Sequence, residues 1–83
     1  MTPQRSKGSF IEMNICGKNV KKFRKEKNLD QVELSAALSV DHDISLDQSD
    51  ISEIERGVRG VRDYEVKALA EIFGVSVDEL LRE

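Results

Sequence analysis

The stretch Asp30–Gly57, DQVELSAALSVDHDISLDQSDISEIERG, decides the fold. Asp30 is followed three residues later by Glu33, the spacing of a capping box in which each side chain accepts a hydrogen bond from the other residue's backbone N–H. The apolar residues that follow have helical spacing, and they are Leu34, Ala37 and Leu38. This pattern predicts a helix that begins at Asp30 and fades near Ser39 or Val40.

The second half of the same stretch predicts another helix. Asp47 stands at an N-cap position, and Gly57 is suited to the left-handed conformation that ends a helix. We therefore expect a helix over Gln48 to Glu55, joined to the preceding one by residues 41–46. Its inward-facing residues are Ile51 and Ile54.

On the N-terminal side, a charged helix is predicted from Gly17 to Lys27. Val20 and Phe23 fall on one face of this segment, and Asn28 is a plausible left-handed stop. Residues 1–12 contain Pro3, Gly8 and small polar residues, which is typical of a flexible N-terminal arm. We therefore divide the chain into an arm over residues 1–12 and a folded domain over residues 13–83.

On the C-terminal side, two more helices are predicted. Asp63 is the expected cap of a helix over Tyr64 to Phe73, which Gly74 ends. Its apolar residues form the most regular amphipathic pattern in the chain, and they are Val66, Leu69, Ala70 and Phe73. Ser76 and Glu79 form a second capping box before a short last helix.

These elements predict an all-α domain of five helices. Strand patterns are weak throughout, and a chain of 83 residues is long enough for one core only. The sequence has no Trp, one Tyr and three Phe, so the core is expected to be aliphatic.

Several classes of protein are disfavoured by what the sequence lacks. No apolar run approaches the roughly 20 residues of a membrane-spanning helix, and the first residues are not expected to form a secretory signal. Cys16 is the single cysteine and His42 the single histidine, so we expect no disulfide, no metal site and no cofactor. No nucleophile–base pair or phosphate loop is recognisable, so an enzyme is not expected. A reducing, cytoplasmic location is the expectation.

The net charge of −3 hides a strong segregation of charge. Residues 1–27 hold eight basic side chains against Glu12 and Glu26, a net +6. Residues 28–55 hold eight acidic side chains and no Lys or Arg, a net −8. Three arginines then cluster around two glycines, and they are Arg56, Arg59 and Arg62. The placement of charge, rather than its sum, must therefore indicate the partners.

Three motifs carry a resemblance to a known family. They are DQVEL at residues 30–34, ISEIERG at residues 51–57 and LAEIFGVSVDELL at residues 69–81. In this order and spacing they resemble the lambda-repressor-like and Cro class of helix-turn-helix regulators, also called the xenobiotic-response-element (XRE) family. The resemblance extends over about residues 15–82 and implies a compact five-helix DNA-binding domain. The connection between the second and third helices is expected to be roughly six residues longer than the family's turn.

The resemblance implies that the third helix enters the major groove of double-stranded DNA. Its exposed residues would contact base edges, and these are Gln48, Ser49, Ser52 and Glu53. Gln31 corresponds to a residue that contacts a phosphate. Further phosphate contacts are expected from Arg56, Arg59 and Arg62, from the lysines of the first helix, and from Arg5 and Lys7 of the arm. Glu53 has two interpretations, acceptance from a cytosine amino group or repulsion of phosphate, whereas Glu55 is expected to bond backbone or an arginine.

Two hypotheses follow for the function. The first is a sequence-specific transcriptional regulator, a repressor that acts as a homodimer. Dimerisation would double the cationic contacts of a helix that carries several acids. The second is an antitoxin-like or sensor-partner module on the same fold, whose acidic segment over residues 28–55 meets a basic protein partner.

Overall fold

The computed structural model describes residues 10–11 and 13–82. Within these residues there are five helices, namely α1 (Met13–Glu26), α2 (Gln31–His42), α3 (Gln48–Arg56), α4 (Asp63–Phe73) and α5 (Val77–Leu81). Two short strands, β1 (Phe10–Ile11) and β2 (Val61–Arg62), complete the described elements. The predicted all-α class with five helices is confirmed.

A single aliphatic core joins the helices. Its fully buried side chains come from all five, and the largest are Leu34, Leu38, Ile51, Ile54, Leu69, Leu80, Val20 and Val66. Phe73 is buried among them, and its ring centroid lies 6.1 Å from that of the partly buried Phe23. Burial of such side chains contributes roughly 1.5–3 kcal/mol each, so this cluster is the main source of stability.

Side-chain caps fix the starts of α2, α3 and α5 as predicted. At α2 the backbone N–H of Glu33 donates to Asp30 Oδ1 at 2.7 Å, and the N–H of Asp30 donates to Glu33 Oε1 at 2.8 Å. Ser76 and Glu79 make the equivalent pair before α5. Left-handed residues follow the ends of α1, α3 and α4, and they are Asn28 (φ 60°), Gly57 (φ 78°) and Gly74 (φ 72°).

The end of α2 differs from the prediction. The helix continues beyond Ser39 and Val40 to His42, and Asp43 ends it in the left-handed conformation with φ 57°. His42 is therefore the last residue of α2, not a loop residue, and its Nε2 lies 3.7 Å from a carboxylate oxygen of Glu71. The connection to α3 comprises residues 43–47, so the expected long turn was wrong. The extra residues extend the helix because Asp43 tolerates a positive φ, which a β-branched residue such as Val40 does not.

Two other helices begin earlier than predicted. α1 starts at Met13, four residues before Gly17, although no cap residue marks that position in the sequence. α4 starts at Asp63, and its N-cap is Arg62. The predicted cap at Asp63 was wrong because Glu65 reaches back and accepts the backbone N–H of Arg62 at 2.9 Å. Asp63 instead accepts the N–H of the next residue.

A small antiparallel pairing joins the beginning of the described chain to the segment before α4. Phe10 pairs with Arg62 and Ile11 with Val61. The predicted arm over residues 1–12 lies outside the described residues except for this strand. The candidate phosphate contacts Arg5 and Lys7 also lie outside them.

Close packing of α1 against α3 sets the position of α3. A Cβ atom placed on Gly17 would lie 2.2 Å from the carbonyl oxygen of Ile54, so only glycine permits this approach. Further along α1, Asn19 Nδ2 donates to the carbonyl oxygens of Leu80 and Arg82 at 2.7 and 2.6 Å. Helix α1 is thereby joined to both α3 and the end of α5.

Candidate nucleic-acid interface

The outward face of α3 brings five polar side chains together. The helix buries Ile51 and Ile54, and the opposite positions face solvent. These positions line an open depression of about 290 Å³, and they are Gln48, Ser49, Ser52, Glu53 and Arg56. The four predicted base-contacting residues are therefore on one surface, together with one of the three predicted arginines.

Both ends of α3 are closed by its own chain. The backbone N–H of Asp50 donates to Asp47 Oδ1 at 2.9 Å, and the N–H of Asp47 donates to Asp50 Oδ2 at 3.0 Å. Asp47 is the N-cap, as predicted. Gly57 donates its N–H to the carbonyls of Glu53 and Ile54 at the other end. The helix therefore presents its exposed residues from a fixed backbone.

Gln31 joins α2 to α3 through its side chain. It is the first residue of α2, and its Nε2 donates to Glu55 Oε1 at 3.1 Å. Its Oε1 accepts from Gln48 Nε2 at 3.3 Å. The chain of contacts from Glu55 through Gln31 to Gln48, called here the glutamine relay, links a largely buried carboxylate to the exposed start of α3.

The relay begins at an ion pair between α1 and α3. Arg24 Nε donates to Glu55 Oε2 at 2.6 Å, and Arg24 Nη2 donates to Glu55 Oε1 at 3.0 Å. The hydrogen bonds to Glu55 raise the pKa of Arg24 above its ordinary value. Both side chains are nearly buried, at 9% and 4% exposure. The prediction that Glu55 bonds an arginine or backbone is confirmed. Arg24 lies one turn after the core residue Val20, and that spacing could have identified it as a charge on the buried face that needs a partner.

A second, basic depression adjoins the first. It measures about 310 Å³ and lies between the end of α1, the start of α2 and the end of α3. Its cationic rim includes the exposed Lys21 and Lys25 of α1. Ser52 and Arg56 line both depressions, so the two are continuous. Sequence reasoning named the lysines of the first helix only as a group, whereas the structure distinguishes these two.

The three predicted arginines have different surroundings. Arg56 is exposed, and its Nε donates to Ser52 Oγ at 3.3 Å. Among the described residues, no carboxylate forms an ion pair with it. Arg62 is also exposed and caps α4 through its backbone.

Arg59 is directed into the protein. Its Nη1 and Nη2 donate to the carboxylate of Glu65 at 3.2 and 3.4 Å, and its Nε lies 3.9 Å from a carboxylate oxygen of Asp50. Burial lowers the pKa of Arg59, but the hydrogen bonds and charge of Glu65 outweigh that effect and raise it overall. The charge of Arg59 is thus compensated within the fold. Glu65, whose side chain is 4% exposed, was not singled out from the sequence.

A comparison with models of protein families identifies the family of this chain. A model described as helix-turn-helix matches residues 20–80. The chain belongs to the XRE-type helix-turn-helix family. This is a family of DNA-binding transcription regulators. Helices α2 and α3 are the helix-turn-helix pair.

A solved structure with a similar fold is the solution structure of the SOS-response transcriptional repressor LexA from Eubacterium rectale. It aligns with a TM-score of 0.72 at 17% identity over 87% of this chain and 70% of that one. At such low identity the likeness shows the fold alone. No curated protein matches the sequence.

Two further observations concern this helix-turn-helix domain. Within residues 10–11 and 13–82, no helix is both long and apolar enough to cross a membrane. Over the same described residues, no group of His, Cys, Asp and Glu side chains is arranged to hold a metal ion.

Proposed function

We propose that this helix-turn-helix domain is a sequence-specific repressor that binds double-stranded DNA as a homodimer, with α3 in the major groove. The observation that supports this best is the single exposed face of α3, on which the side chains of Gln48, Ser49, Ser52, Glu53 and Arg56 lie together. A rigid helix that carries short polar side chains fits a groove about 12 Å wide.

The side chains of this face have the chemistry of base contacts. Gln48 can pair bidentately with adenine, and Ser49 and Ser52 can bond to donor or acceptor edges. Gln48 lies at the first position of α3, and the N-terminal residues of the recognition helix are those that contact base edges in this motif. We therefore assign the first base-specific contact to Gln48.

Phosphate contacts are proposed for the basic depression. Gln31 lies at the N-terminus of α2, where the helix dipole favours an anion. Lys21, Lys25 and Arg56 surround it on α1 and α3. Arg62 remains a phosphate candidate because it is exposed. We expect Arg59 to contribute less than the sequence suggests because its charge already faces Glu65.

The acids of the domain limit its affinity for DNA. Glu53 lies in the proposed contact surface, and we favour repulsion of phosphate over pairing with cytosine. Binding to DNA is driven largely by the cations that release counterions. The proposed contact surface of one copy offers few cations beside Glu53, so two copies on a two-fold operator are proposed.

The test is selection of bound sequences from a random DNA pool, followed by titration of the selected duplex by fluorescence anisotropy. Gln48→Ala is expected to change the preferred base at one position, with about 1–3 kcal/mol lost on the selected site. Arg56→Ala is expected to weaken binding on all sequences alike and to reduce the salt slope by about one. Lys67→Ala is the matched control because this exposed lysine lies on α4, away from both depressions.

An unchanged sequence preference in Gln48→Ala would contradict the proposed placement of α3. The repressor role has its own measurement, which is expression from a promoter that contains the selected site. Expression is expected to fall when the protein is supplied and to recover with Gln48→Ala. A rise in expression would instead indicate an activator.

A further inference from the structure

Helix α2 has an exposed apolar stripe on the side opposite its core contacts. Val32 is 58% exposed and Val40 is 81% exposed, and Ala36 lies exposed between them. Their four-residue spacing places them along one side of the helix over about two turns. The core contacts of the same helix, Leu34 and Leu38, are fully buried on the other side.

The shape of this α2 stripe suits a helix as partner. Two valines flank the small Ala36, so the stripe has a notch in its centre. A large apolar side chain of a second helix can enter such a notch in the way that helices pack ridges into grooves. None of the residues proposed to contact DNA belongs to the stripe, so this inference stands apart from the proposed DNA binding.

Acids surround the α2 stripe. Glu33 directly follows Val32 in the chain, and Asp41 directly follows Val40. Asp30 and Asp43 cap the two ends of the helix, and all four acids are exposed. Among the described residues, none of these four acids forms an ion pair with a Lys or Arg. A partner that covers the valines is therefore expected to bring cations to the rim.

Two other occupants fit the α2 stripe less well. A second copy packed through this face would bring the same acids together across a two-fold axis, and like charges so placed repel each other. The first nine residues of the chain carry Arg5 and Lys7, but Met1 is the only large apolar side chain among them besides Pro3. That composition does not supply a second apolar stripe.

We propose that the α2 stripe binds a basic amphipathic helix of a partner protein. The acid-rimmed valines supply apolar area and charge for one face of that helix, and the two helices would pack side by side. The domain would then carry two separate binding surfaces, the stripe on α2 and the exposed face of α3.

The probe is a short amphipathic helical peptide of Leu and Lys, titrated into the ¹⁵N-labelled full chain and followed by amide chemical shifts. The shifts are expected to change along residues 32–43 and not on α3. A matched peptide with Glu in place of every Lys is expected to leave them unchanged. The double substitution Val32→Ser with Val40→Ser is expected to raise the dissociation constant of the Lys peptide at least about tenfold.

The matched control is Val58→Ser, since Val58 is 60% exposed but lies outside α2, and it is expected to bind the Lys peptide unchanged. Equal binding by the double variant, binding of the Glu peptide, or shifts centred elsewhere would overturn the proposal. Shifts of α2 that depend on protein concentration alone would assign the stripe to a second copy. Changes in the amide chemical shifts of α2 when Arg5 and Lys7 are replaced with Gln would assign the stripe to the chain's own first residues. Because DNA titration is a separate measurement, either proposal can fail without the other.

Discussion

At the scale of single residues, the structure separates arginines that the sequence leaves equivalent. Arg56 projects from α3 with its charge unpaired among the described residues, whereas Arg59, in the loop between α3 and α4, pairs with Glu65. Spacing along the chain does not show this difference, because Arg59 and Glu65 meet only when the loop folds back. Two arginines three positions apart therefore have different roles. Arg56 is available for contacts at the surface, whereas Arg59 stabilises the fold through Glu65.

We predict that Arg59→Ala destabilises the domain by about 1–3 kcal/mol because the nearly buried carboxylate of Glu65 loses its partner. Urea unfolding measures this loss. Arg56→Ala, an exposed control, is expected to stay within about 0.5 kcal/mol of the original protein. Normal stability of Arg59→Ala together with uniformly weaker DNA binding would show that Arg59 serves as a phosphate contact instead.

Cys16 gives a prediction on pH. Its side chain is fully buried, and burial raises the pKa of the thiol from 9.0 to about 11. The folded protein therefore holds the thiol proton more tightly than the unfolded chain does. The associated stability is complete below pH 9 and is lost as the pH rises towards about 11.

The expected size of this effect is at most about 2–3 kcal/mol, because one pKa unit corresponds to about 1.4 kcal/mol. The measurement is urea unfolding at pH 8 and pH 10.5, compared between the original protein and Cys16→Ala. The original protein should lose more stability over that interval than the variant, in which other titrating groups are the same. Equal losses would show that the thiol is not shielded as the fold implies.

At the scale of secondary-structure elements, the position of α3 depends on how closely α1 approaches it. The contact at Gly17 leaves no room for a Cβ atom, which would lie 2.2 Å from the carbonyl oxygen of Ile54. The neighbouring residue, Lys18, is exposed. This one crossing therefore sets the tilt of the helix proposed to enter the groove.

We expect Gly17→Ala to cost about 1–3 kcal/mol or more through overpacking, and to displace α3. Thermal unfolding checks the first part, and amide chemical shifts of residues 48–56 check the second. Lys18→Ala is the control on the same helix, with little expected change. A Gly17→Ala protein of unchanged stability would mean that α1 and α3 can separate without loss.

Helix ends show where sequence reasoning succeeded at this scale. Asp30, Asp47 and Ser76 were predicted as caps because a short acceptor side chain satisfies free N–H groups within its own turn. Such signals are local. Another local signal, the tolerance of glycine for a positive φ, located the helix ends at Gly57 and Gly74.

The errors share a different cause. α1 begins at Met13 without a cap signal, and Asp43 ends α2 through a left-handed conformation that its sequence neighbours did not reveal. The pairing of β1 with β2 involves two residues in each strand, too few for an alternating pattern. In the candidate site, the helical period correctly placed the exposed residues of α3 on one face. The pairing of Arg59 with Glu65 could not be predicted in this way, because it depends on tertiary contacts.

At the scale of the whole molecule, charge is divided between surfaces. The cations Lys21, Lys25 and Arg56 surround the start of α2 beside the exposed face of α3. The acidic segment over residues 28–55 supplies the rim of the α2 stripe, and its net charge of −8 offsets the basic first part of the chain. A net charge of −3 therefore does not argue against binding to DNA, because the cations are local.

We predict that a duplex with two inverted half-sites, centred about 34 Å apart, binds this domain more tightly than a duplex with one half-site. The log–log salt slope should be about twice as steep, because two copies release twice as many counterions. Fluorescence anisotropy between low and moderate salt measures both. A control duplex with the half-sites displaced by half a helical turn should behave like a single site. Equal affinity on all three duplexes would contradict the proposed homodimer.

The glutamine relay has a consequence for how long a complex with DNA lasts. A glutamine side chain loses on the order of 1.5–2 kcal/mol of rotamer freedom when it is fixed. Gln48 already donates to Gln31, which in turn is held by Glu55, before any nucleic acid is present. Part of that entropy is therefore lost during folding rather than at the encounter, and such preorganisation favours a slowly dissociating complex.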